Sequence, residues 1–427
     1  MARAVVADRL AEALGALLGT EELPVRLRAW DGSVTGPAGA PVVAVRSRRA
    51  LRRLAWSPGQ LGLARAYVAG EIDIEDDVFA TFGALRSAGR FSRTGATAGL
   101  APRERLRLLG TALRLGAIGP EPAPPGEEAR VGRAGRRHSR GRDAVAVSHH
   151  YDVGNDFYAL VLGPTMVYSC AVWHSPDVGL DAAQEAKLDL VCRKLGLAEG
   201  DRLLDVGCGW AGLAIHAAQR HGATVVGVTL SEQQAQLGRK RVAEAGLTDR
   251  VDIRVQDYRE VDDGPFDAIS SIGMSEHVGR AQMPGYVRQL HGLLRPGGRL
   301  LNHAIAWNAG TAANSPDTFI GRYVFPDGEL LGLGETVGFL EAGGALEVLD
   351  VEALRQHYAL TLRAWVRRLE AGWDAAVAAS SPGRARVWRL YMAACALAFE
   401  AGDMGVNQVL LRRPGPGAPP LRRAAWV

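Results

Sequence analysis

Between residues 202 and 212 the chain reads RLLDVGCGWAG. A strand-like run passes straight into glycines at 207, 209 and 212, the spacing G-x-G-x-x-G. Glycines at those points let the backbone turn sharply, approach a nucleotide and enter a helix packed on the strand. A strand–loop–helix unit of this kind belongs in a parallel sheet covered by helices. From residue 145 onward the rest of the chain keeps the same rhythm. TVVGVTL, VDIRVQD, FDAISSIG and RLLNHAIA are strand candidates separated by helical stretches. The alternation predicts an α/β fold, a Rossmann-like doubly wound sheet with crossover helices.

The loop alone suits a nicotinamide enzyme or a methyltransferase. Asp205, two residues before the first glycine, separates them. A carboxylate there would repel a pyrophosphate but suits the cationic amino-acid end of S-adenosylmethionine. The next strand candidate ends near Thr229, with no acid to read a nicotinamide ribose. Leu294-Arg295-Pro296-Gly297-Gly298 matches the turn before the fifth strand of many class I methyltransferases. These features favour a methyltransferase over a dehydrogenase.

Upstream, the helical face of Val6, Leu10, Leu14, Leu17 and Leu18 and the strand-like runs 25–30 and 42–46 predict a small α+β accessory domain over 1–118. Residues 119–143 are rich in Pro, Gly and Arg and read as a flexible linker. The methyltransferase domain is then expected at 144–412 and a mobile tail at 413–427. Six arginines between Arg130 and Arg142 meet no acid. They form a solvated linker or a surface for anionic lipid, and they lack the interleaved aromatics a nucleic-acid binder needs. No apolar run reaches the roughly 18–20 residues that span a bilayer. Asp8, Glu12 and Glu21 break the pattern of a secretory signal, so a cytoplasmic protein is expected. Cys170, Cys192, Cys208 and Cys395 show no CxxC or Cys/His spacing, so no metal is expected.

Residues 149–410 resemble the cyclopropane-fatty-acid synthase family nearly end to end. The matching stretches are HHYDVGNDFY, MVYSCAVW, LLDVGCGWAGLA, VVGVTLSEQQ, VQDYRE, GMSEHVG, RYVFPDG and HYALTLRAW. The resemblance implies an S-adenosylmethionine-dependent C-methyltransferase acting on the double bond of an unsaturated fatty-acyl chain of a phospholipid. It also implies a bound bicarbonate ion as the base that takes the proton after methyl transfer. Its cradle would be Cys170, Glu276, His303, Tyr358 and the backbone at Gly273 and Ile305. Cofactor contacts would come from Tyr168, Ser169, Asp205, Gly207, Cys208, Gly209, Thr229, Leu230 and Gln234, with Gln256, Asp257 and Tyr258 near the adenine. Phe319, Tyr323 and Phe325 would line the acyl channel. Each also has a plain structural reading: Cys170 as a small buried hydrophobe, His303 as a satisfied core histidine, the aromatics as core. Where many relatives read GMFEHVG, this chain has Ser275, which alters the wall beside Glu276.

Two products are open, a cyclopropane ring or an exocyclic methylene. SPGQLGLARAYVAGEIDIEDD and RYVFPDGELLG resemble an actinobacterial branch that makes methylene-branched precursors of tuberculostearic acid, and an Arg-rich, Lys-poor composition agrees with such a GC-rich source. That branch implies a flavin- or nicotinamide-dependent reductase as partner. It also implies peripheral contact with a membrane, through the arginine cluster and the apolar face of residues 6–18. A methyltransferase for a soluble acceptor, such as a sterol or polyketide, is the rival. The sequence leaves the oligomeric state open, a homo-oligomer included.

Overall fold

The computed structural model describes residues 5–18, 20, 22–87, 102–128, 138–139, 141–143, 153–308 and 318–426. They form two compact units, Met1–Arg130 with Asn314–Pro326 and Ser381–Leu397, and Val131–Ala313 with Asp327–Ser380 and Ala398–Val427. The expected boundaries at 118, 143 and 412 differ from this division. Two segments far along the chain cluster with the N-terminal unit, a tertiary association that local composition does not encode.

In the first unit, β1 (Arg26–Ala29), β2 (Val34–Thr35), β3 (Val42–Val45) and β4 (Ile72–Ile74) lie in the order β2-β1-β3-β4. The helix Val6–Leu18 turns Leu10, Leu14 and Leu18 into a core shared with Leu27, Val45, Leu51 and Leu54. The face expected to help at a membrane is therefore buried. The helix Pro102–Arg114 adds Leu108 and Ala112 to that core, but Leu106, Leu109 and Leu113 remain 70%, 46% and 59% exposed. Within the stretch read as a flexible linker, Glu128 is buried and held by Arg65 through two bonds of 2.7 Å. Of its arginine cluster only Arg142 lies among the described residues, and it is paired with Asp327 at 2.6 Å.

In the second unit the strands are β5 (Arg202–Val206), β6 (Thr224–Thr229), β7 (Val251–Val255), β8 (Phe266–Ile272), β9 (Leu294–Trp307), β10 (Leu331–Gly332), β11 (Glu347–Ala353) and β12 (Met404–Arg412). Their order is β11-β12-β9-β8-β5-β6-β7, with β10 beside β9. β12 runs antiparallel to β9 and β11, while β5, β6, β7, β8 and β9 are mutually parallel. Strand β5 has β8 on one side and β6 on the other, so the chain crosses over in opposite directions from its C-terminal end. That is the switch point where doubly wound sheets open a ligand crevice. Gly207 turns there at φ +78°, a conformation side chains resist. At Gly212 a Cβ would lie 2.8 Å from the Thr165 carbonyl oxygen and from Val167 Cγ2, so close packing requires glycine.

The tail expected to be mobile is docked. Trp426 is buried in a core with Leu301 and Leu410, and Arg423 pairs with Glu352 at 2.6 Å. Burial of one indole can anchor an otherwise polar, proline-rich segment. Among the described residues no helix is long and apolar enough to cross a membrane.

Candidate active site

A cleft of about 1210 Å³, part of it open to solvent, lies at the C-terminal ends of β5, β6 and β7. Its walls include Tyr168, Ser169, Asp205, Gly207, Cys208, Gly209, Thr229, Leu230, Gln234, Gln256, Asp257 and Tyr258. Every residue expected at the cofactor thus lines one cavity, because each follows a strand end or faces one. The Asp205 carboxylate is buried and accepts the Ser270 hydroxyl at 2.7 Å. Burial pushes it up to about 6, opposed by that bond and by the charge of Lys187. The Thr229 hydroxyl donates to Gln234 Oε1 at 2.8 Å. Asp257 closes on Arg259, accepting from Nε at 2.8 Å, and Arg259 also reaches Asp143 at 3.0 Å.

Sequence reasoning missed Lys187. It lines the cleft, is 1% exposed, and donates to Ser169 Oγ at 3.2 Å. Burial lowers it to about 8, while Asp205, Cys170 and Cys192 favour its charged form. An ammonium and a carboxylate on the same cleft match both charges of a zwitterionic amino-acid group. With bare backbone at Gly207 and Gly209, these residues fit S-adenosylmethionine.

Of the expected anion cradle, only Gly273 reaches that wall; Cys170, Glu276, His303 and Tyr358 lie buried on neighbouring elements and Ile305 is half-buried. The Gly273 N–H donates to the His303 carbonyl at 2.8 Å, and the Ile305 N–H donates to Glu276 Oε1 at 2.9 Å. Both backbone donors proposed for the anion are thus already engaged. The side chains supply the open valences. Glu276 Oε2 and His303 Nε2 are buried with no hydrogen-bond partner. The Ile305 N–H that holds Glu276 lies two residues along β9 from His303. Cys170 Sγ contacts the Leu354 carbonyl at 3.7 Å, the same oxygen that accepts the Tyr358 N–H at 3.1 Å. The Leu354 N–H donates to Val406, which pairs across the sheet with Ile305. Four distant segments are linked in this way.

Burial raises the Glu276 carboxyl to about 7, opposed by bonds from the Ile305 and Glu276 backbone and from the Ser275 hydroxyl. The departure at Ser275 therefore puts a donor beside Glu276. Burial, with the charges of Lys187 and Lys194, lowers His303 to about 3, so its ring is neutral. Its tautomer follows from two residues that sequence reasoning also missed. Lys194 Nζ donates to Gln408 Oε1 at 2.7 Å, which fixes the amide so that its nitrogen faces His303 Nδ1 at 3.2 Å. An NH₂ can only donate, so Nδ1 accepts and the ring proton sits on Nε2, the open position. Burial also pushes the Cys170 thiol well above its usual range. It is no nucleophile. A carboxyl that can carry a proton, an imidazole N–H and a neutral thiol fit a small anion such as bicarbonate.

Tyr168 on the cleft wall packs against Trp365 at 5.3 Å, and Trp365 meets Tyr358 edge-on at 6.1 Å. The three aromatics expected at the acyl channel fall in the other unit. Phe319 packs on Tyr323, whose hydroxyl bonds Glu128 at 3.2 Å, and Phe325 meets Tyr391 edge-on at 5.9 Å.

A family model described as mycolic acid cyclopropane synthetase matches residues 138–409. A probable fatty acid methyltransferase of Mycobacterium tuberculosis is 42% identical over 420 residues, 95% of each chain. The tuberculostearic acid methyltransferase UfaA1 of the same organism is 34% identical over 413 residues, covering 92% of this chain and 89% of its own. Among solved structures, the mycolic acid cyclopropane synthase CmaA1 complexed with SAH and CTAB is similar at a TM-score of 0.59 and 33% identity. It covers 63% of this chain and 98% of its own.

Proposed function

The chain belongs to the mycolic acid cyclopropanesynthetase family, S-adenosylmethionine-dependent methyltransferases of lipid acyl chains, and we propose that it methylates the cis double bond of a phospholipid acyl chain to give a methylene branch. The observation that carries the proposal is the pairing of a cleft suited to a cationic methyl donor with two buried side chains, Glu276 and His303, that keep open valences. An alkene has no proton to lose before it attacks, so no base is needed at the start. A base is needed afterwards, and an anion pocket meets that need.

When bound, the donor supplies an electrophilic methyl group on a sulfonium. Asp205 and Lys187 hold its charged end, and the glycine loop permits close approach of the backbone. The methyl adds to one alkene carbon and leaves a cation on the other. Tyr168, on the cleft wall with Trp365 packed against it, would offer a ring to steady that charge. When bound, bicarbonate supplies the base. His303 Nε2–H and protonated Glu276 donate to it and keep it oriented. Direct proton loss from the new methyl would close a ring. A hydride shift between the two former alkene carbons, followed by loss of that proton, leaves an exocyclic methylene. Similarity to a tuberculostearic acid methyltransferase along both units supports the second course. Saturating the methylene takes a hydride, which this reading assigns to a separate flavin- or nicotinamide-dependent reductase.

The substrate sits in a bilayer, so the enzyme is peripheral in this reading. Leu106, Leu109 and Leu113, spaced along one line of a helix with exposed Arg103 and Arg114, suit an anionic lipid surface better than the buried face of residues 6–18. Each leucine contributes about 1.5–3 kcal/mol if fully buried in lipid. The test is transfer of labelled methyl to vesicles of monounsaturated anionic phospholipid, beside a sterol and a polyketide. Label should enter only the phospholipid. Serine at Leu106, Leu109 and Leu113 should depress activity on vesicles and spare it on detergent-dispersed lipid. Label in a soluble acceptor alone would overturn the assignment.

A further inference from the structure

The helices Leu180–Leu195 and Gly212–His221 pack together and bring three metal-binding side chain types to one place, none used in methyl transfer. Cys192 Sγ and a ring nitrogen each of His216 and His221 lie within 4.8 Å of one another. Asp189, just before Cys192 on the same helix, places Oδ1 3.7 Å from His221 Nε2. Its other oxygen is held by Arg193 at 2.8 Å. The Nε2 atoms of both histidines are buried and have no hydrogen-bond partner. Two orphaned imidazole nitrogens on residues that gather beside a thiol carry a desolvation cost that a bound cation would remove.

We propose that Cys192, His216 and His221, with Asp189 as fourth donor, bind a divalent transition ion of the zinc class. One sulfur, two imidazole nitrogens and one carboxylate oxygen are a donor set for a borderline-soft tetrahedral ion, not for magnesium or calcium. Bonds of about 2.0–2.3 Å require the ligand atoms to draw in by roughly an ångström. Ring rotations at the half-buried histidines supply that movement. Binding releases the Cys192 proton to solvent, and the thiolate and carboxylate then balance the charge of the ion. Lys187 and Leu188 lie on the first helix and Gly212 opens the second, and all three line the cofactor cleft. The ion would tie the two walls together without touching the ligand. Because Cys192 and the histidines lie on separate helices, their spacing matches no short sequence motif.

The test uses the full chain stripped by a chelator and titrated with Co²⁺. One equivalent should give the intense visible bands of tetrahedral cobalt and a thiolate-to-cobalt charge-transfer band, both displaced by Zn²⁺. Cys192→Ser should abolish the charge-transfer band. His216→Gln and His221→Gln should each weaken binding by about 10-fold or more while circular dichroism reports an unchanged fold. Zn²⁺ should raise the melting temperature of the wild type by more than that of His216→Gln at the same concentration. Absence of the charge-transfer band in the folded wild type would overturn the site. So would its persistence in Cys192→Ser or, if that variant does not fold, undiminished binding by both histidine variants.

Discussion

In the cofactor cleft the polar side chains have found one another. Asp205 accepts from Ser270, Thr229 donates to Gln234, and Asp257 closes on Arg259. Around β9 the pattern is reversed. Glu276 and His303 are buried, each bonded on one side only, with Oε2 and Nε2 left open. Leaving such a group unpaired costs about 1–3 kcal/mol. In the first region these pairs form without a ligand, and in the second two buried polar atoms keep open valences that the proposed anion would fill. On the function proposed above, the cleft would set affinity for the donor, and an anion held by Glu276 and His303 would set the rate of proton removal. The two should therefore separate under mutation.

The largest effect is expected on the cofactor side. Gly207→Val puts a β-branched residue at φ +78° and narrows the loop where the ligand must approach, at a strain of roughly 1–3 kcal/mol. Binding of S-adenosylhomocysteine, measured by calorimetry, should be lost while the fold persists. Unchanged affinity would break the assignment of the cleft.

On the pocket side, Glu276→Gln should cut turnover by on the order of 10²-fold and leave cofactor affinity nearly unchanged. Removing carbonate from the assay should slow the wild type as well. Full activity in carbonate-free buffer would break the comparison, since the pocket would then need no guest. The pH dependence sharpens it. Glu276 is raised to about 7, so it is protonated and donating below that pH and ionised and repelling an anion above it. kcat/KM should fall as pH rises through 7, and Glu276→Gln, neutral throughout, should lack that limb.

A smaller effect is expected one shell out. Gln408→Met frees His303 to take the other tautomer and leaves Lys194 with Glu352 as its near partner. Turnover should drop by about 10-fold with cofactor affinity unchanged. An equal loss in both would make Gln408 a support of the fold alone.

The same two regions differ in how much of them the sequence displays. The cleft is built where strands end, and Asp205, Gly207, Thr229 and Asp257 each stand at a recognisable junction. Cys170, Glu276, His303 and Tyr358 come from separate elements, and resemblance to a family named them where periodicity did not. Lys187, Lys194 and Gln408 went unseen, since on a helix or an edge of the alternation they read as surface polars. One signal was present. The chain has 47 arginines and three lysines, and two of those lysines are buried at 1% and 0% exposure. A compact ammonium where arginine is otherwise the rule marks a confined site. The docked tail and the segments that join the N-terminal unit were hidden for another reason. Their contacts are made at long range by residues such as Trp426 and Tyr391, in stretches whose composition resembles linker or ordinary helix.

The most direct test of methylene formation on a phospholipid acyl chain is proton NMR of the ester made from a ¹³C-methyl donor and monounsaturated phospholipid by this protein alone. The label should appear in a vinylidene carbon, with its two protons in the alkene region and no saturated branch until a reductase is added. High-field cyclopropane protons carrying the label would contradict the methylene product, and an unlabelled acyl chain would contradict methyl transfer to lipid altogether.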